Sequence, residues 1–185
     1  MKLAALVLCV CLLCGCSAEK DPLDQAMDLR NALLTGQECT FSCVISADYA
    51  ERIYTFQMDC TMDTEGNMTF TVTEPETLYG ISGVISREGG GLCFDDKVLA
   101  FPMLANDQLI PVSAPWIFLN SLKSGYISGC SSENEGICLY IDDSFNDAVL
   151  HMEVQMNSEN VPIWADIFWN QKRILTVDIR EFMIM

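Results

Sequence analysis

Apolar residues recur at every second position over most of this chain, and this spacing limits the folds that the chain can adopt. The clearest examples are two runs that follow Gly36: Cys39, Phe41, Cys43 and Ile45, then Tyr54, Phe56, Met58 and Cys60. A period of two puts the apolar side chains of a strand on one face. A turn over residues 48–51 pairs Ile45 with Tyr54 and Cys39 with Cys60, so the two runs predict a half-buried antiparallel hairpin.

Further segments of the same kind extend this hairpin into a large sheet. We expect strands at 67–73, 77–86, 92–94, 97–100, 126–130, 136–142, 148–156, 162–169 and 174–183. Gly80 and Gly83 fall inside one of these strands and predict a bend, and the glycine triplet 89–91 predicts a turn. The fold class is therefore α+β, mainly antiparallel β, with a curved sheet in a single domain over residues 22–185.

Two segments have helical spacing instead. The first begins at Pro22 after the N-cap Asp21, carries Asp24 in its first turn and ends at Gly36. Its apolar stripe consists of Leu23, Ala26, Met27, Leu33 and Leu34. The second covers residues 114–123 after the cap Ser113, and its apolar side consists of Trp116, Leu119 and Leu122. The chain thus has an N-terminal helix and a mid-chain helix with which to cover its sheet.

The charge of the chain argues against several classes of partner. It carries 26 acidic and 10 basic residues, which gives a net charge of −16. Such a chain repels phosphate backbones and anionic membrane surfaces, so we expect no nucleic-acid partner and no electrostatic attachment to a membrane. Because 50% of the residues are hydrophobic, the chain has enough apolar surface to form a folded core.

The first fifteen residues predict an export signal. Lys2 precedes an apolar segment, residues 3–13, of the length expected for export and too short to span a bilayer. The run Leu13-Cys14-Gly15-Cys16 resembles a bacterial lipobox, which implies that residues 1–15 are removed and that Cys16 carries acyl chains such as palmitate. Two or three chains hold a protein stably on a membrane. We expect a lipoprotein on the extracytoplasmic face of the cell membrane, joined to it through Cys16 and a linker over 16–21; the alternative is an ordinary secretory signal.

The order of the elements resembles the LolA/LppX/LprG superfamily of periplasmic and lipid-anchored proteins. The residues that carry the resemblance are the helix ending at Leu33-Leu34, the stretches 75–80 and 91–95, the segment 111–122 and the closing hairpin within 162–182. The resemblance implies an incomplete antiparallel barrel with an apolar concave face and helices as a lid. Some lipobox members of this superfamily, to which the chain is also similar, look like the spore germination lipoprotein group.

The sequence lacks the residue groups that most enzymes need. His151 is the only histidine, and it lies in the middle of an expected strand without a nucleophile motif nearby. No cysteine or histidine group has zinc-ligand spacing, and the triplet 89–91 lacks the lysine of a phosphate-binding loop. We therefore predict a non-enzymatic protein with no metal and no other cofactor, in which His151 is structural or faces solvent.

The cysteines after Cys16 allow disulfides in an exported protein. They are Cys39, Cys43, Cys60, Cys93, Cys130 and Cys138. The hairpin register pairs Cys39 with Cys60, and Cys130 and Cys138 flank an expected turn closely enough to meet. The alternative is that all of them are small buried hydrophobic residues.

The aromatic residues and methionines suggest two functions. A curved sheet under two short helices leaves a concave space that adaptable apolar side chains either fill as core or line as a binding cavity. In the first hypothesis, the protein binds a lipid or other hydrophobic ligand there. The expected lining residues are Phe41, Cys43, Tyr54, Phe56, Met58, Phe70, Leu78 and Trp116. In the second, the domain is filled and acts as a protein-interaction module or scaffold for an envelope or cell-wall enzyme.

Overall fold

The computed structural model describes residues 21–49, 52–94, 97–105, 108–133, 136–145 and 148–185. The expected signal peptide, Cys16 and the linker residues before Asp21 lie outside the described residues. The described part contains two α-helices and thirteen strands. None of its helices is both long enough and apolar enough to cross a membrane.

Helix α1 (Pro22–Thr35) has the start and the end that the sequence predicts. The Asp21 carboxylate accepts a hydrogen bond from the Leu23 N–H at 3.0 Å, and the Gly36 N–H donates to the Ala32 carbonyl after the last turn. The predicted apolar stripe is only partly correct. Its buried residues are Ala26, Leu29 and Leu33, whereas Leu23, Met27 and Leu34 are exposed.

Helix α2 (Ala114–Ser124) follows a 3-10 turn at Pro111–Ser113 and ends at Gly125. Ser113 precedes the helix as expected, but its hydroxyl donates to the Ile110 carbonyl at 2.6 Å rather than capping the helix. The helix is buried on almost all sides. Eight of its eleven residues are buried: Ala114, Pro115, Trp116, Ile117, Phe118, Leu119, Ser121 and Leu122. It is therefore a core helix and not a surface helix with one apolar stripe.

The strands build one large antiparallel sheet and one small hairpin. Their bounds are β1 (Cys39–Asp48), β2 (Ile53–Met62), β3 (Met68–Glu74), β4 (Ser82–Ser86), β5 (Gly89–Phe94), β6 (Lys97–Phe101), β7 (Leu104–Ala105), β8 (Gln108–Leu109), β9 (Tyr126–Glu133), β10 (Gly136–Phe145), β11 (Ala148–Asn157), β12 (Pro162–Trp169) and β13 (Lys172–Ile184). The large sheet has eleven strands in the order β6-β5-β4-β3-β2-β1-β13-β12-β11-β10-β9, and β7 pairs with β8. Its first and last strands, β1 and β13, pair at the centre and join two meanders into one surface.

The large sheet is curved. Arg87, which follows β4, and Leu150 in β11 lie on opposite sides of the five strands between them, yet both line one cleft beside α2. Over the described residues, β6 and β9 are the two edges of the sheet and do not pair with each other. The fold is thus the curved incomplete barrel with an N-terminal and a mid-chain helix that the sequence predicts.

The register of the β1–β2 hairpin differs by two residues from the predicted one. Cys39 lies opposite Met62, Ile45 lies opposite Phe56, and Asp48 lies opposite Ile53, so the connection comprises residues 49–52. A shift of two preserves the face of every side chain, and the inner face of β1 is buried as expected. The sequence therefore predicts the buried face correctly and the pairs wrongly.

Two further segments differ from the prediction. Residues 77–81 are not strand, because a 3-10 turn occupies Glu76–Leu78 and β4 begins at Ser82. The glycine triplet 89–91 lies inside β5 and does not form a turn. Gly83 of β4 lies opposite Phe70, whose ring would be 2.7 Å from a Cβ at that position. Glycine here makes room for an aromatic ring on the inner face of the sheet.

Arg30 of α1 connects the two helices. Its guanidinium donates through Nε to the Leu122 carbonyl and through Nη2 to the Gly125 carbonyl, both at 2.7 Å. These carbonyls lie at the end of α2, where the helix leaves its backbone acceptors unpaired and its dipole favours a cation. The side chain is half-buried, and this burial lowers the pKa of Arg30 from its usual value.

We expect Arg30→Met to destabilise the protein by about 2 kcal/mol, because two charge-assisted hydrogen bonds are lost and two carbonyls are left without a donor. Urea unfolding followed by circular dichroism measures this change. The matched control is Arg173→Met, since Arg173 forms an exposed pair with Asp166 at 3.3 Å and should contribute less than about 1 kcal/mol. Equal losses in both variants would show that Arg30 does not support α2.

Candidate functional site

The concave face of the large sheet is apolar across its central strands. Its buried residues on the central strands are Cys39, Phe41, Cys43, Ile45 and Ala47 of β1, Met58, Cys60 and Met62 of β2, and Leu175, Val177 and Ile179 of β13. Each set occupies alternate positions, as a sheet with one buried face requires. Together with α1 and α2 these residues form one continuous hydrophobic core.

Helix α2 packs against this concave face through an aromatic contact. The ring of Phe118 lies 5.8 Å from that of Phe41 in β1 and 6.4 Å from that of Phe182 in β13, in edge-to-face geometry in both cases. The Phe41 and Phe182 rings are 6.0 Å apart. Each such pair adds about 0.5–1.5 kcal/mol to the burial of the rings. This cluster holds the middle of α2 over the two central strands.

Side-chain hydrogen bonds attach α2 to the sheet at two further points. Trp116 donates from Nε1 to the carbonyl of Gly66, in the β2–β3 connection, at 2.9 Å. The buried hydroxyl of Ser121 donates to the Asp143 carboxylate of β10 at 3.0 Å. The donors of both bonds are side chains of α2, so these attachments are separate from the backbone hydrogen-bond ladder of the sheet.

The structure places the eight residues expected to line a ligand site in two groups. Phe41, Cys43, Met58, Phe70 and Trp116 are buried in the core between the sheet and α2, and Phe56 packs against them half-buried. Tyr54 and Leu78 instead lie at the rim, 45% and 40% exposed. The residues thus lie on or beside the concave face, and in this structure the inner ones contact protein atoms.

Methionine is enriched in this core beyond Met58, the one methionine among the expected lining residues. Six methionines are buried: Met58, Met62, Met68, Met103, Met152 and Met156. Their signal in the sequence is the same alternation that predicts the strands, since Met152 and Met156 fall on the inner positions of β11. An unbranched thioether side chain adopts several shapes at little cost, so this core tolerates repacking.

A cleft of about 90 Å³ lies along one side of α2. Leu109, Trp116, Ile117 and Leu150 form its apolar wall, while its polar wall consists of Arg87, Asn120, Ser121, Ser124, Asp143 and Ser144. Its volume is well below the ~300 Å³ of a typical small-molecule site. The cleft nevertheless leads from solvent to the buried side of α2, where Trp116 and Ile117 meet the core.

A rim of exposed apolar side chains surrounds one end of the sheet. Ile53 and Tyr54 begin β2, and Leu78 and Tyr79 lie in the connection between β3 and β4, at the same end of adjacent strands. The hydroxyl of Tyr49, in the β1–β2 connection, donates a hydrogen bond to the Leu109 carbonyl of β8. This bond fastens the β7–β8 hairpin over the same end of the sheet. Burial, with a contribution from Tyr54, raises the pKa of Tyr49 to about 12, so its phenol stays a donor.

The cysteines do not lie in the pairs from which the two disulfides were predicted, Cys39 opposite Cys60 and Cys130 close to Cys138. Cys60 lies opposite Phe41 and is diagonal to Cys39, and diagonal neighbours are ~7–8 Å apart, beyond the usual reach of a disulfide. Cys130 lies opposite Leu139, so the side chain of the adjacent Cys138 is on the other face of the sheet. In the described part of the chain, none of these six cysteines forms a disulfide: Cys39, Cys43, Cys60, Cys93, Cys130 and Cys138.

Burial makes the inner thiols unreactive. It raises the pKa of Cys39 to about 12, and it raises the pKa of Cys60 well above its usual value, with a further contribution from the hydrogen-bonded neighbour Cys43. A thiol is nucleophilic only as its thiolate, so these cysteines behave as small hydrophobic residues. Among the described residues, no group of three or more histidines, cysteines or acids is placed to hold a metal ion.

His151 lies on the outer face of the sheet, away from the concave core. Its Nδ1 is 2.7 Å from the Asp142 carboxylate, and its ring stacks on Tyr140 with the centroids 6.4 Å apart. Because an ionised carboxylate only accepts, Nδ1 carries the hydrogen. This hydrogen bond lowers the pKa of Asp142. The prediction that His151 is structural or solvent-facing agrees with this position.

No known protein-family profile and no curated protein matches this sequence. Solved structures of similar arrangement include a LolA superfamily protein from Nitrosomonas europaea, 7% identical over 90% of this chain and 94% of that chain, with a TM-score of 0.48. A putative outer membrane lipoprotein-sorting protein domain from Vibrio parahaemolyticus is 8% identical over 87% of this chain and 91% of that chain, with a TM-score of 0.47. The lipoprotein LppX of Mycobacterium tuberculosis is 10% identical over 88% of this chain and 96% of that chain, with a TM-score of 0.39. The superfamily that the order of sequence elements resembles is thus found among the structural neighbours.

We expect His151→Phe to raise the pKa of the Asp142 carboxyl toward its usual value, since the ring stack is kept and the donor is lost. A carboxyl with a lowered pKa in the folded state stabilises the protein above its unfolded pKa, and this stabilisation is lost as the pH falls through the folded pKa. The stability advantage of the wild type should therefore be present above about pH 4 and decrease below it. NMR titration of the Asp142 carboxyl carbon measures the shift.

Glu153→Gln is the control for this titration. Its carboxylate lies 3.8 Å from the other ring nitrogen of His151 and is not bonded to Asp142. The pKa of Asp142 should stay low in this variant. An unchanged pKa of Asp142 in His151→Phe would contradict the assignment of the hydrogen bond.

Proposed function

We propose that this protein is a membrane-anchored extracytoplasmic lipoprotein that binds a lipid or other hydrophobic molecule between the concave face of the sheet and α2. The observation that carries the proposal is the construction of this core. A methionine-rich apolar face is closed by a helix whose polar attachments to the sheet are side-chain hydrogen bonds. Such a core can repack around an apolar guest while the backbone of the sheet stays intact.

The route to the concave face follows from the cleft beside α2. In the structure this cleft of about 90 Å³ is too small for a lipid, so an acyl chain enters only if α2 moves away from the sheet. The guest would then contact Phe41, Met58 and Phe70 below the helix, with Tyr54 and Leu78 at the rim. Burial of apolar surface would drive this binding, at ~25 cal/mol per Å² before the cost of moving α2.

A second candidate function is that of a protein-interaction module or scaffold for an envelope enzyme. The filled core favours it, because Phe41, Met58 and Trp116 already contact protein atoms. In this case the exposed rim with Ile53 and Tyr79 is the contact surface. One experiment separates the two functions, since only the first requires a guest in the core.

If the first function is correct, native mass spectrometry of the full protein, extracted from its own membrane in mild detergent, should show an extra mass of a lipid or fatty acid. This mass should be additional to the covalent acyl chains and should be lost when the protein is denatured. A neutral apolar fluorophore should also bind and compete with that guest. Absence of both signals would leave the scaffold function.

A pair of matched variants tests whether the adaptable core is the site. Met58→Leu combined with Met152→Leu conserves volume, so it should cost less than about 1.5 kcal/mol of stability, but the stiffer side chains should weaken fluorophore binding. Met183→Leu is the control, because Met183 is exposed on β13. Equal affinities in the two variants would place the guest elsewhere.

The anchor is tested separately at the expected acylation site. We expect Cys16→Ala to abolish acylation and to release the protein from the membrane fraction, because the acyl chains are its proposed attachment. Cys14→Ala changes a neighbouring cysteine of the same segment and should leave the protein in the membrane. Fractionation and intact mass measure both effects, and membrane retention of the Cys16 variant would contradict the anchor.

A further inference from the structure

Helix α1 carries a second apolar face that the protein leaves in solvent. Leu23, Met27 and Leu34 are 48%, 41% and 56% exposed. Their spacings of four and seven residues place them within about 40° of one another around the helix axis. The inner face of the same helix, with Ala26, Leu29 and Leu33, is buried in the core. We name the three exposed residues the outer stripe.

The outer stripe extends over the whole helix. Leu23 lies in the first turn and Leu34 in the last, and α1 is about 21 Å long. The exposed Met185 lies next to this last turn, since its carbonyl accepts the Gln37 N–H at 2.6 Å. Single exposed apolar residues are common, but an aligned set marks a contact surface.

The sequence between the stripe and the expected anchor limits what this surface can contact. Four residues lie between Cys16 and Asp21, and the five Cα–Cα steps from one to the other, fully extended, span at most about 18 Å. If Cys16 is acylated, the first turn of α1 is held within this distance of the lipid surface. We propose that the outer stripe lies on the membrane to which the protein is anchored. This inference rests on the proposed anchor at Cys16.

The charges beside the stripe indicate the kind of lipid surface. Asp24 and Asp28 are exposed on α1 and the chain as a whole carries −16, while Arg30, at the edge of the stripe, is half-buried with its guanidinium on the carbonyls of α2. Anionic headgroups would repel this helix, whereas zwitterionic headgroups would accept its shallow apolar contact. The stripe therefore fits the interface of a zwitterionic or neutral bilayer, with the acidic side of α1 turned to water.

This placement brings α2 to the membrane as well. Arg30 of α1 donates to the Leu122 and Gly125 carbonyls, so the end of α2 follows α1 toward the lipid. A hydrophobic molecule that leaves the bilayer then meets the α2 side of the core first. The outer stripe thus orients the proposed binding site toward the source of its ligand.

The test uses tryptophan fluorescence in the full acylated protein, bound to phosphatidylcholine vesicles with and without brominated lipid. Met27→Trp puts a reporter on the outer stripe. Ala32→Trp is the matched control, because Ala32 is exposed on the same helix about 140° away from Met27. The wild-type signal of Trp116, Trp164 and Trp169 is subtracted.

We expect brominated lipid to quench the Met27→Trp reporter about twofold or more relative to the Ala32→Trp reporter. Equal or absent quenching of the two reporters, in protein that floats with the vesicles, would overturn the inference and leave the anchor standing. Protein that does not float would overturn the anchor, and with it the inference. Circular dichroism of both variants checks that α1 is intact.

Discussion

The burial of α2 against the concave face of the sheet is the interaction on which the rest of this structure depends. An open antiparallel sheet of this size exposes one apolar face to water unless another element covers it. Burial of each large side chain of α2, such as Phe118 or Leu119, stabilises the fold by about 1.5–3 kcal/mol. The contact of α1 with α2 and the cleft beside Trp116 both follow from having this helix inside.

The attachments of α2 differ from those of the strands, and this difference has a functional consequence. Each strand is held by a ladder of backbone hydrogen bonds, whereas α2 is held by apolar contacts and by the side chains of Trp116, Ser121 and Arg30. The fold therefore combines a wall of hydrogen-bonded strands with one helix held over it by side chains, and the proposed ligand exchange requires this helix to move away from the sheet.

Local signals in the sequence predict most of the elements of this fold. Asp21, Pro22 and Gly36 set the bounds of α1, because capping and proline geometry depend on neighbouring residues only. The alternation in β1 and β2 predicts which side chains are buried, because the pleat fixes their faces. The pairing of Cys39 with Met62 is not predictable in the same way, since a shift of two residues conserves every face. The expected register of Cys39 opposite Cys60 was wrong for this reason.

The residues of the candidate site likewise divide into those whose position the sequence predicts and those whose position it does not. Phe41, Cys43, Met58 and Phe70 are placed on the concave face by alternation alone, whereas the exposure of Tyr54 and Leu78 depends on how far α2 and the β7–β8 hairpin extend over the sheet. The sequence by itself determined the class of fold, the two helices, the buried face of the strands and the apolar character of the core. The tertiary structure alone decided the register, the central pairing of β1 with β13, the contact of Arg30 with α2 and the division of α1 into an inner and an outer apolar face. Periodicity depends on adjacent residues, but these features depend on which distant segments meet, and no local pattern specifies that.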